Sequence, residues 1–338
     1  MKKWLSVFVT LLAVWVLAGC GGGNGNPSGD TSSEGDFQGV QLKAVAFLPL
    51  NHPLLATIDD WVQEVGEATD GKVKIQVIGG PEAIPESEQV SALRNGVVDV
   101  SFIVTGLYTD QLPAATAIHL SQLKPWEERE SGFYDKMVAV HEELGVRYIG
   151  RFMSDELPFR LWLNKPVSSV DELNGLRIRS HPIYNRFLLS YGMKPTVVAS
   201  SDVYTALQQR IVDGFAWGSL LGPRQNGWTD STHYVIDHPF FNQNGTILMR
   251  SEAWEKIPAE YQEKIIEATA EYERAMDEYF AQAVEEERNT LENMGIQFIQ
   301  FPADQAESYV QRAYDVEWEA LAEQIPDQVE ELRSLVQK

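Results

Sequence analysis

Arg179 is the residue of this 338-residue chain whose type and position most clearly suggest chemistry. It lies near the end of a predicted strand, Leu176 to Ser180, and a helix is predicted from Pro182 to Tyr191. A guanidinium is always charged, and its planar fork fits a carboxylate with two parallel hydrogen bonds. Open α/β sheets bind ligands in crevices at the ends of their strands. This position therefore predicts a carboxylate-binding site.

Several polar and aromatic side chains at other predicted strand ends are further candidates for this cleft. Each is as readily explained by a structural role as by ligand binding, although His181 could add a second donor beside Arg179. The candidates are His52 after the first strand, Glu82 after Gly80-Pro81, Tyr108 after the strand Val97 to Val104, and His181 and Tyr184 just beyond Arg179.

Motifs for catalysis or metal binding are missing from the sequence. It contains no G-x-S-x-G elbow, and its six histidines show no H-E-x-x-H or paired ligand spacing. Cys20 is the only cysteine. We therefore predict a protein that is not an enzyme and that needs no cofactor and no metal.

The chain alternates between strand and helix patterns, which predicts an α/β fold with largely parallel sheets. Helices are also predicted at Trp126 to Leu144 and at Pro258 to Asn293. The second spans roughly 50 Å at 1.5 Å per residue and would brace two domains. The alternative is two helices broken near the middle.

An internal similarity supports two related halves. Residues Glu88 to Asp99 match Asp202 to Asp213 at equal spacing: the first acid, an Ala-Leu pair and a Val-Asp pair recur. This predicts the same helix-to-strand unit in each half, unless the similarity is due to chance.

The N-terminus predicts export and anchoring. Lys2 and Lys3 precede the apolar run Trp4 to Val16, and Leu17-Ala18-Gly19-Cys20 resembles a bacterial lipobox, so residues 1–19 form a predicted signal peptide and Cys20 a lipidation site. The alternative is an ordinary secreted protein with a chance cysteine. Residues 20–39 are rich in Gly, Ser and Asn, and this composition predicts a flexible tether. Removing the two lysines changes the formal charge from −22 to −22 − 2 = −24, which argues against nucleic-acid partners.

The chain resembles the substrate-binding subunits of TRAP transporters, the DctP-like family. The resemblance covers nearly the whole mature chain and rests on LNGLRIR, SSDVYTALQQRIVDG, SEAWEKIP, GGPEAIP, ALRNGVVDVSF and WEER. It implies a two-domain, periplasmic-binding-protein-like (Venus flytrap) fold with hinge strands and a long domain-spanning helix. The implied boundaries give domain I residues 40–157 and 246–287, and domain II residues 158–245 and 288–338.

The resemblance also implies site residues and partners. Arg179 matches the family arginine that pairs with a substrate carboxylate. Arg160 matches a second family arginine, and Asn164 matches the asparagine of the turn that follows it. Trp217 resembles a subgroup in which tryptophan lines the cleft, and Ser200 stands where many members carry an aromatic residue. These departures favour an aromatic, branched or sugar-like acid over a small dicarboxylate.

The implied partners are an organic acid and a small and a large membrane subunit. The protein is expected to be a monomer that is lipid-anchored outside the cytoplasm. A lipoprotein of an ABC importer or of a sensor system remains the alternative.

Overall fold

The computed structural model describes residues 37–243 and 245–337. The predicted signal peptide, Cys20 and most of the predicted tether lie outside this range. Two sheets organise the described residues. Their strands are β1 (Val40–Ala46), β2 (Val73–Val77), β3 (Val100–Val104), β4 (Val146–Arg151), β5 (Arg160–Leu163), β6 (Arg177–Ser180), β7 (Lys194–Val197), β8 (Gly214–Trp217), β9 (Tyr234–Ile236), β10 (Gly245–Arg250) and β11 (Gln297–Ile299).

The first lobe is built on a five-stranded sheet in the order β2-β1-β3-β10-β4, and the second lobe on a six-stranded sheet in the order β11-β9-β5-β8-β6-β7. The predicted two-sheet α/β class is confirmed, but the sheets are mixed rather than largely parallel. Strand β10 runs antiparallel to β3 and β4, and β5 runs antiparallel to β8 and β9. The chain crosses between the sheets at β5, β10 and β11, and the first two of these strands run antiparallel to their neighbours.

Helices cover both sheets. They are α1 (Ile58–Ala68), α2 (Gln89–Arg94), α3 (Ala117–Leu120), α4 (Pro125–Glu130), α5 (Phe133–Glu142), α6 (Asn185–Ser190), α7 (Val203–Gln208), α8 (Ser251–Trp254), α9 (Ala259–Asn293), α10 (Ala303–Gln324) and α11 (Val329–Val336). The single helix predicted from Trp126 to Leu144 is wrong, since α4 and α5 are separate. Gly132 has φ +86° at the break, a left-handed conformation that glycine adopts at little cost. No helix in the described ranges is both long and apolar enough to cross a membrane.

Helix α9 is one unbroken element of 35 residues, which confirms the long-helix prediction over the broken one. Its first half is held to the first lobe, where the Trp61 indole donates to Thr269 Oγ1 at 2.9 Å. Its second half is held to the second lobe, where Arg288 donates to both carboxylate oxygens of Asp237, at 3.1 and 2.7 Å. The helix therefore contacts both lobes.

The repeated unit has the same backbone pattern in each lobe. Asp99 N donates to Lys43 O and the Asp99 carboxylate accepts from Lys43 N, while Asp213 makes the same pair of bonds with Arg177. The second residue after each helix is left-handed, with φ +73° at Gly96 and +55° at Arg210. The predicted duplication is confirmed in the fold. The predicted domain boundaries remain a prediction.

Candidate ligand-binding cleft

A cavity of about 50 Å³ lies between the ends of strands from both lobes. The volume is small for a cleft that holds an organic ligand. Most lining residues lie at the ends of β1, β3, β6 and β8 or in the loops that follow them, and the others follow β2 or β7 or precede β5 or β10. The lining residues are Phe47, Leu54, Glu86, Val104, Phe159, Arg179, His181, Ile183, Tyr184, Ser200, Trp217, Gly218 and Gln243.

Arg179 is brought to this cavity by β6, where it lies beside Thr196 of β7 and Phe215 of β8. Only 3% of the residue is exposed. Its Nε donates to Val198 O at 2.9 Å, which fixes the side chain along the sheet. The two terminal nitrogens make only long contacts of 3.4 Å, to Tyr184 Oη and Ser200 Oγ. Bonds of that length are weak, so the terminal nitrogens are the part of the fork available to a ligand.

Tyr184 supports Arg179 from the same lobe. Its hydroxyl donates to Ala216 O at 3.0 Å, which leaves the oxygen lone pairs to face the guanidinium. The residue is 1% exposed, and burial raises the pKa of the phenol, with the Arg179 charge opposing the shift. Tyr184 therefore stays protonated and positions the arginine.

Trp217 forms a wall of the cavity at the end of β8. Its indole Nε1 donates to Leu221 O at 2.9 Å, and its ring packs edge-on against Trp228 with centroids 4.9 Å apart. The guanidinium carbon of Arg179 lies 5.8 Å from a Trp217 ring centroid, within cation–π range. The tryptophan thus presents an apolar surface beside the charged fork.

His181 also lines the cavity and lies where the lobes touch. Burial, with a further effect from Arg179, lowers its pKa to about 3, so the imidazole is neutral at neutral pH and has a single N–H donor. Nδ1 is buried and has no hydrogen-bond partner within residues 37–243 and 245–337. A Cβ added to Gly106 of the first lobe would lie 2.6 Å from His181 Cε1 and 2.7 Å from Nδ1 and would also overlap Ile183. Only glycine allows this approach of the two lobes.

His52 lies beside the cavity without lining it. Its Nδ1 accepts from Leu54 N at 3.2 Å, so the neutral ring carries its proton on Nε2, which is buried and has no partner. Burial lowers its pKa to about 4. The ring centroid is 5.8 Å from that of Trp217, and a Cβ on Gly222 would lie 2.9 Å from His52 Nε2. His52 is a second point of contact between the lobes.

Two of the sequence candidates lie away from the cavity. Glu82 is exposed and accepts from Gly80 N at 2.7 Å, and this bond lowers the pKa of the carboxyl. Tyr108 is buried in the first lobe, where its hydroxyl lies 3.1 Å from His141 Nε2 and 3.2 Å from Thr246 Oγ1. Both side chains have structural partners where they stand.

Arg160 does not join Arg179, contrary to the prediction from the sequence. Its Nε lies 3.5 Å from Asp237 Oδ1, on the side of the sheet where Arg288 of α9 also binds Asp237. Burial lowers the pKa of Arg160, and the Asp237 charge opposes that shift. Its neighbour Phe159 lines the cavity instead. Adjacent residues of a strand point to opposite faces, so an offset of one residue changes which side chain reaches the cleft.

Sequence reasoning missed other lining residues, chiefly Glu86, Phe159 and Gln243. Phe47 and Val104 stand at the ends of β1 and β3, and the strand-end rule that selected Tyr108 could have found them. Glu86 and Gln243 lie in connecting segments whose course no periodic pattern predicts. Gln243 is 4% exposed. Its side-chain amide donates to Gly218 O, and its backbone carbonyl accepts from the buried Arg151.

Comparison with known proteins identifies the family. Residues 45–324 match the model of the bacterial extracellular solute-binding protein family 7, DctP. The chain belongs to this family. The resemblance seen in the sequence is thereby confirmed, and both the family and its fold are those of extracytoplasmic solute-binding proteins rather than enzymes.

Curated relatives are distant in sequence. A solute-binding protein of Roseobacter denitrificans is 24% identical over 249 residues, which is 70% of this chain and 74% of that protein. A monocarboxylate 2-oxoacid-binding periplasmic protein of Nostoc is 22% identical over 220 residues, 62% of this chain and 59% of that protein.

Solved structures share the fold at low identity. DctP7 of Bordetella pertussis, an extracytoplasmic solute receptor that binds pyroglutamic acid, has a TM-score of 0.77 at 17% identity and covers 88% of this chain and 100% of its own. A TRAP periplasmic solute-binding protein of Desulfovibrio salexigens with bound orotic acid has a TM-score of 0.78 at 17% identity, with 88% and 97% covered. A third, from Roseobacter denitrificans with β-D-glucuronate, scores 0.73 at 16% identity, with 88% and 99% covered.

Proposed function

We propose that this protein captures a carboxylate-containing organic acid between its two lobes and that Arg179 binds the carboxylate. One observation carries the proposal. Arg179 is buried at the cavity, and in residues 37–243 and 245–337 no carboxylate makes an ion pair with it. A buried charge is costly unless a counter-charge accompanies it. An anionic ligand supplies that counter-charge, and the two terminal nitrogens have the geometry for a bidentate bond.

The rest of the lining suits the body of such an acid. Phe47, Phe159 and Trp217 provide apolar surface, which favours an aromatic, branched or sugar-like acid. The related receptors described above bind pyroglutamic acid, orotic acid and β-D-glucuronate, each of which has one carboxylate. These ligands support the chemical class without identifying the solute of this protein.

Binding is coupled to closure in this proposal. The predicted domain boundaries place hinges near residues 157–158, 245–246 and 287–288. The cavity is small, so the ligand must enter while the lobes are apart. An acid that contacts both lobes then stabilises the closed form, because a ligand shifts an equilibrium by its differential affinity for the two states. The close approach of Gly106 to His181 is the contact that closure forms.

A thermal-shift screen of organic acids on the purified protein tests the proposal. A ligand that binds only the native state raises the melting temperature by mass action. We expect sugar acids, hydroxy acids or aromatic acids to do so, with a dissociation constant confirmed by calorimetry. Stabilisation only by neutral sugars or by peptides would overturn the carboxylate assignment.

The family and the N-terminal sequence support a proposal for the location and partners of the protein. We propose that Cys20 is lipidated, that the protein stays a monomer on the outer face of the membrane, and that it delivers its ligand to a small and a large TRAP membrane subunit. Metabolic labelling with a lipid probe tests the anchor: wild type should carry label and remain with membranes, and Cys20→Ala should lose both properties. A labelled Cys20→Ala variant would contradict it.

A further inference from the structure

Glu86 is a charged lining residue that the proposed carboxylate clamp does not use. It belongs to the first lobe, at the start of the short turn of helix Glu86–Glu88, whereas Arg179 belongs to the second. Its side chain is half-buried. Within the described residues its carboxylate makes no hydrogen bond or ion pair, so the group has no structural partner that explains its position at the cavity.

The charges of Glu86 and Arg179 influence each other although the two side chains make no direct contact. Burial raises the pKa of the Glu86 carboxyl, and the positive charge of Arg179 opposes that shift. Both groups line the same cavity and no ion pair joins them, so a ligand in the cavity can bind each of them. An acid bound to Arg179 therefore extends toward Glu86.

The balance of charge in the lining limits what that acid can be. Arg179 and Glu86 contribute one positive and one negative charge, His181 is neutral, and the other lining side chains are apolar, hydroxyl or amide groups. A ligand with one carboxylate pairs with Arg179 and changes the net charge of the site from zero to −1. A second carboxylate at the far end would change the net charge to −2 and would lie beside the like charge of Glu86, which repels it.

We propose that Glu86 selects acids that carry a single carboxylate and, at the opposite end, a hydrogen-bond donor such as a hydroxyl or an N–H group. The donor gives its hydrogen to the Glu86 carboxylate while the ligand carboxylate binds Arg179. Dicarboxylates are rejected by repulsion, and acids without a donor leave a half-buried carboxylate unpaired. This inference rests on the proposed function and names the ligand class for the same site.

Calorimetry with a fixed panel of probes tests the inference on wild type and on Glu86→Gln. The panel contains orotate and glucuronate as monocarboxylates with a donor at the far end, pyruvate and picolinate as monocarboxylates without one, and succinate as a dicarboxylate. We expect the tightest wild-type ligand to be one of the donor-bearing acids, and its N-methyl or O-methyl analogue to bind about 10-fold more weakly. Glu86→Gln should narrow the preference for that acid over succinate by about 10-fold.

Glu88→Gln is the matched control, because Glu88 is exposed, lies two residues away and does not line the cavity. It should leave both the affinities and the preference unchanged. The inference is overturned if succinate or a donor-free acid binds best, if blocking the donor has no effect, or if Glu86→Gln behaves like the control. The proposed function fails separately, if no acid binds or if Arg179→Ala binds acids as wild type does.

Discussion

The two lobes share a helix-to-strand unit but bring opposite charges to the cleft. In the first lobe the charged lining group is Glu86, which lies ahead of the repeated helix. In the second lobe it is Arg179, on the strand beside the repeated unit. The common backbone brings strand ends together at one crevice. The charged side chains at these strand ends belong to residues outside the repeat. The duplication therefore determines where the site lies but not its chemistry.

A second contrast lies within the second lobe, between its two buried arginines. Among the residues that the structure describes, Arg179 has no acidic partner at ion-pair distance, and its outer nitrogens have only weak contacts. Arg160 lies beside Asp237, which Arg288 also binds. An arginine that has no ion pair in the protein is suited to binding an anionic ligand. An arginine that is paired with an acid of the protein instead helps to hold the sheet in place.

The largest effect is expected from Arg179→Ala. It should weaken binding of the ligand found in the acid screen by at least roughly 30-fold, about 2 kcal/mol. The reason is that one side of a buried charge-assisted pair is removed, and such losses reach about 2–5 kcal/mol. Calorimetry measures the affinity. Arg177→Ala is the matched control, since Arg177 lies on the same strand but is exposed and pairs with Asp213. Equal affinities in the two variants would contradict the proposal that Arg179 binds the carboxylate.

A smaller loss is expected from Gly106→Ala, which tests the contact between the lobes. The new Cβ would overlap His181 and Ile183, so the lobes could not close fully and affinity should fall about 10-fold, or 1.4 kcal/mol. Small-angle scattering should show a less compact liganded form. Gly66→Ala serves as control, because nothing lies within 4 Å of its added Cβ. Wild-type affinity in Gly106→Ala would show that closure does not depend on this contact.

The duplicated unit predicts an opposite pair of stability changes. Arg210 has φ +55° where Gly96 has φ +73°. A left-handed conformation costs a residue with a Cβ roughly 1–2 kcal/mol, part of which glycine loses again through the flexibility of the unfolded chain. Arg210→Gly should raise the free energy of unfolding by about 0.5–1 kcal/mol, and Gly96→Ala should lower it by about 1 kcal/mol. Denaturant titration measures both, and changes of the same sign would contradict the equivalence.

The smallest change is expected from Arg160→Met, measured as ligand affinity. Its guanidinium does not line the cavity, so binding should stay within about 3-fold of wild type, or 0.7 kcal/mol. Calorimetry on Arg160→Met and Arg179→Ala with the same ligand compares the two affinities directly. A loss as large as that of Arg179→Ala would restore the pair of arginines that the sequence suggested.

Local pattern predicted much of the fold because the signals were strong and periodic. The predicted strand Leu176 to Ser180, the helical spacing within Ala259–Asn293 and the repeated Ala-Leu and Val-Asp pairs each correspond to an element in the structure. The prediction failed between α4 and α5, because Gly132 could be accommodated in a helical pattern and only its left-handed backbone marks the break.

The sequence by itself determined that Arg179 stands near a strand end, since a run of apolar and charged residues fixes a strand without reference to the rest of the chain. Only the tertiary structure decided its companions. Phe159 rather than Arg160 faces the cavity because one residue along a strand reverses the side-chain direction. Glu86 lines the same cavity as Arg179 because the lobes bring together segments 93 positions apart (179 − 86 = 93). Contacts of that kind depend on how two sheets close on one another, and no local pattern records it.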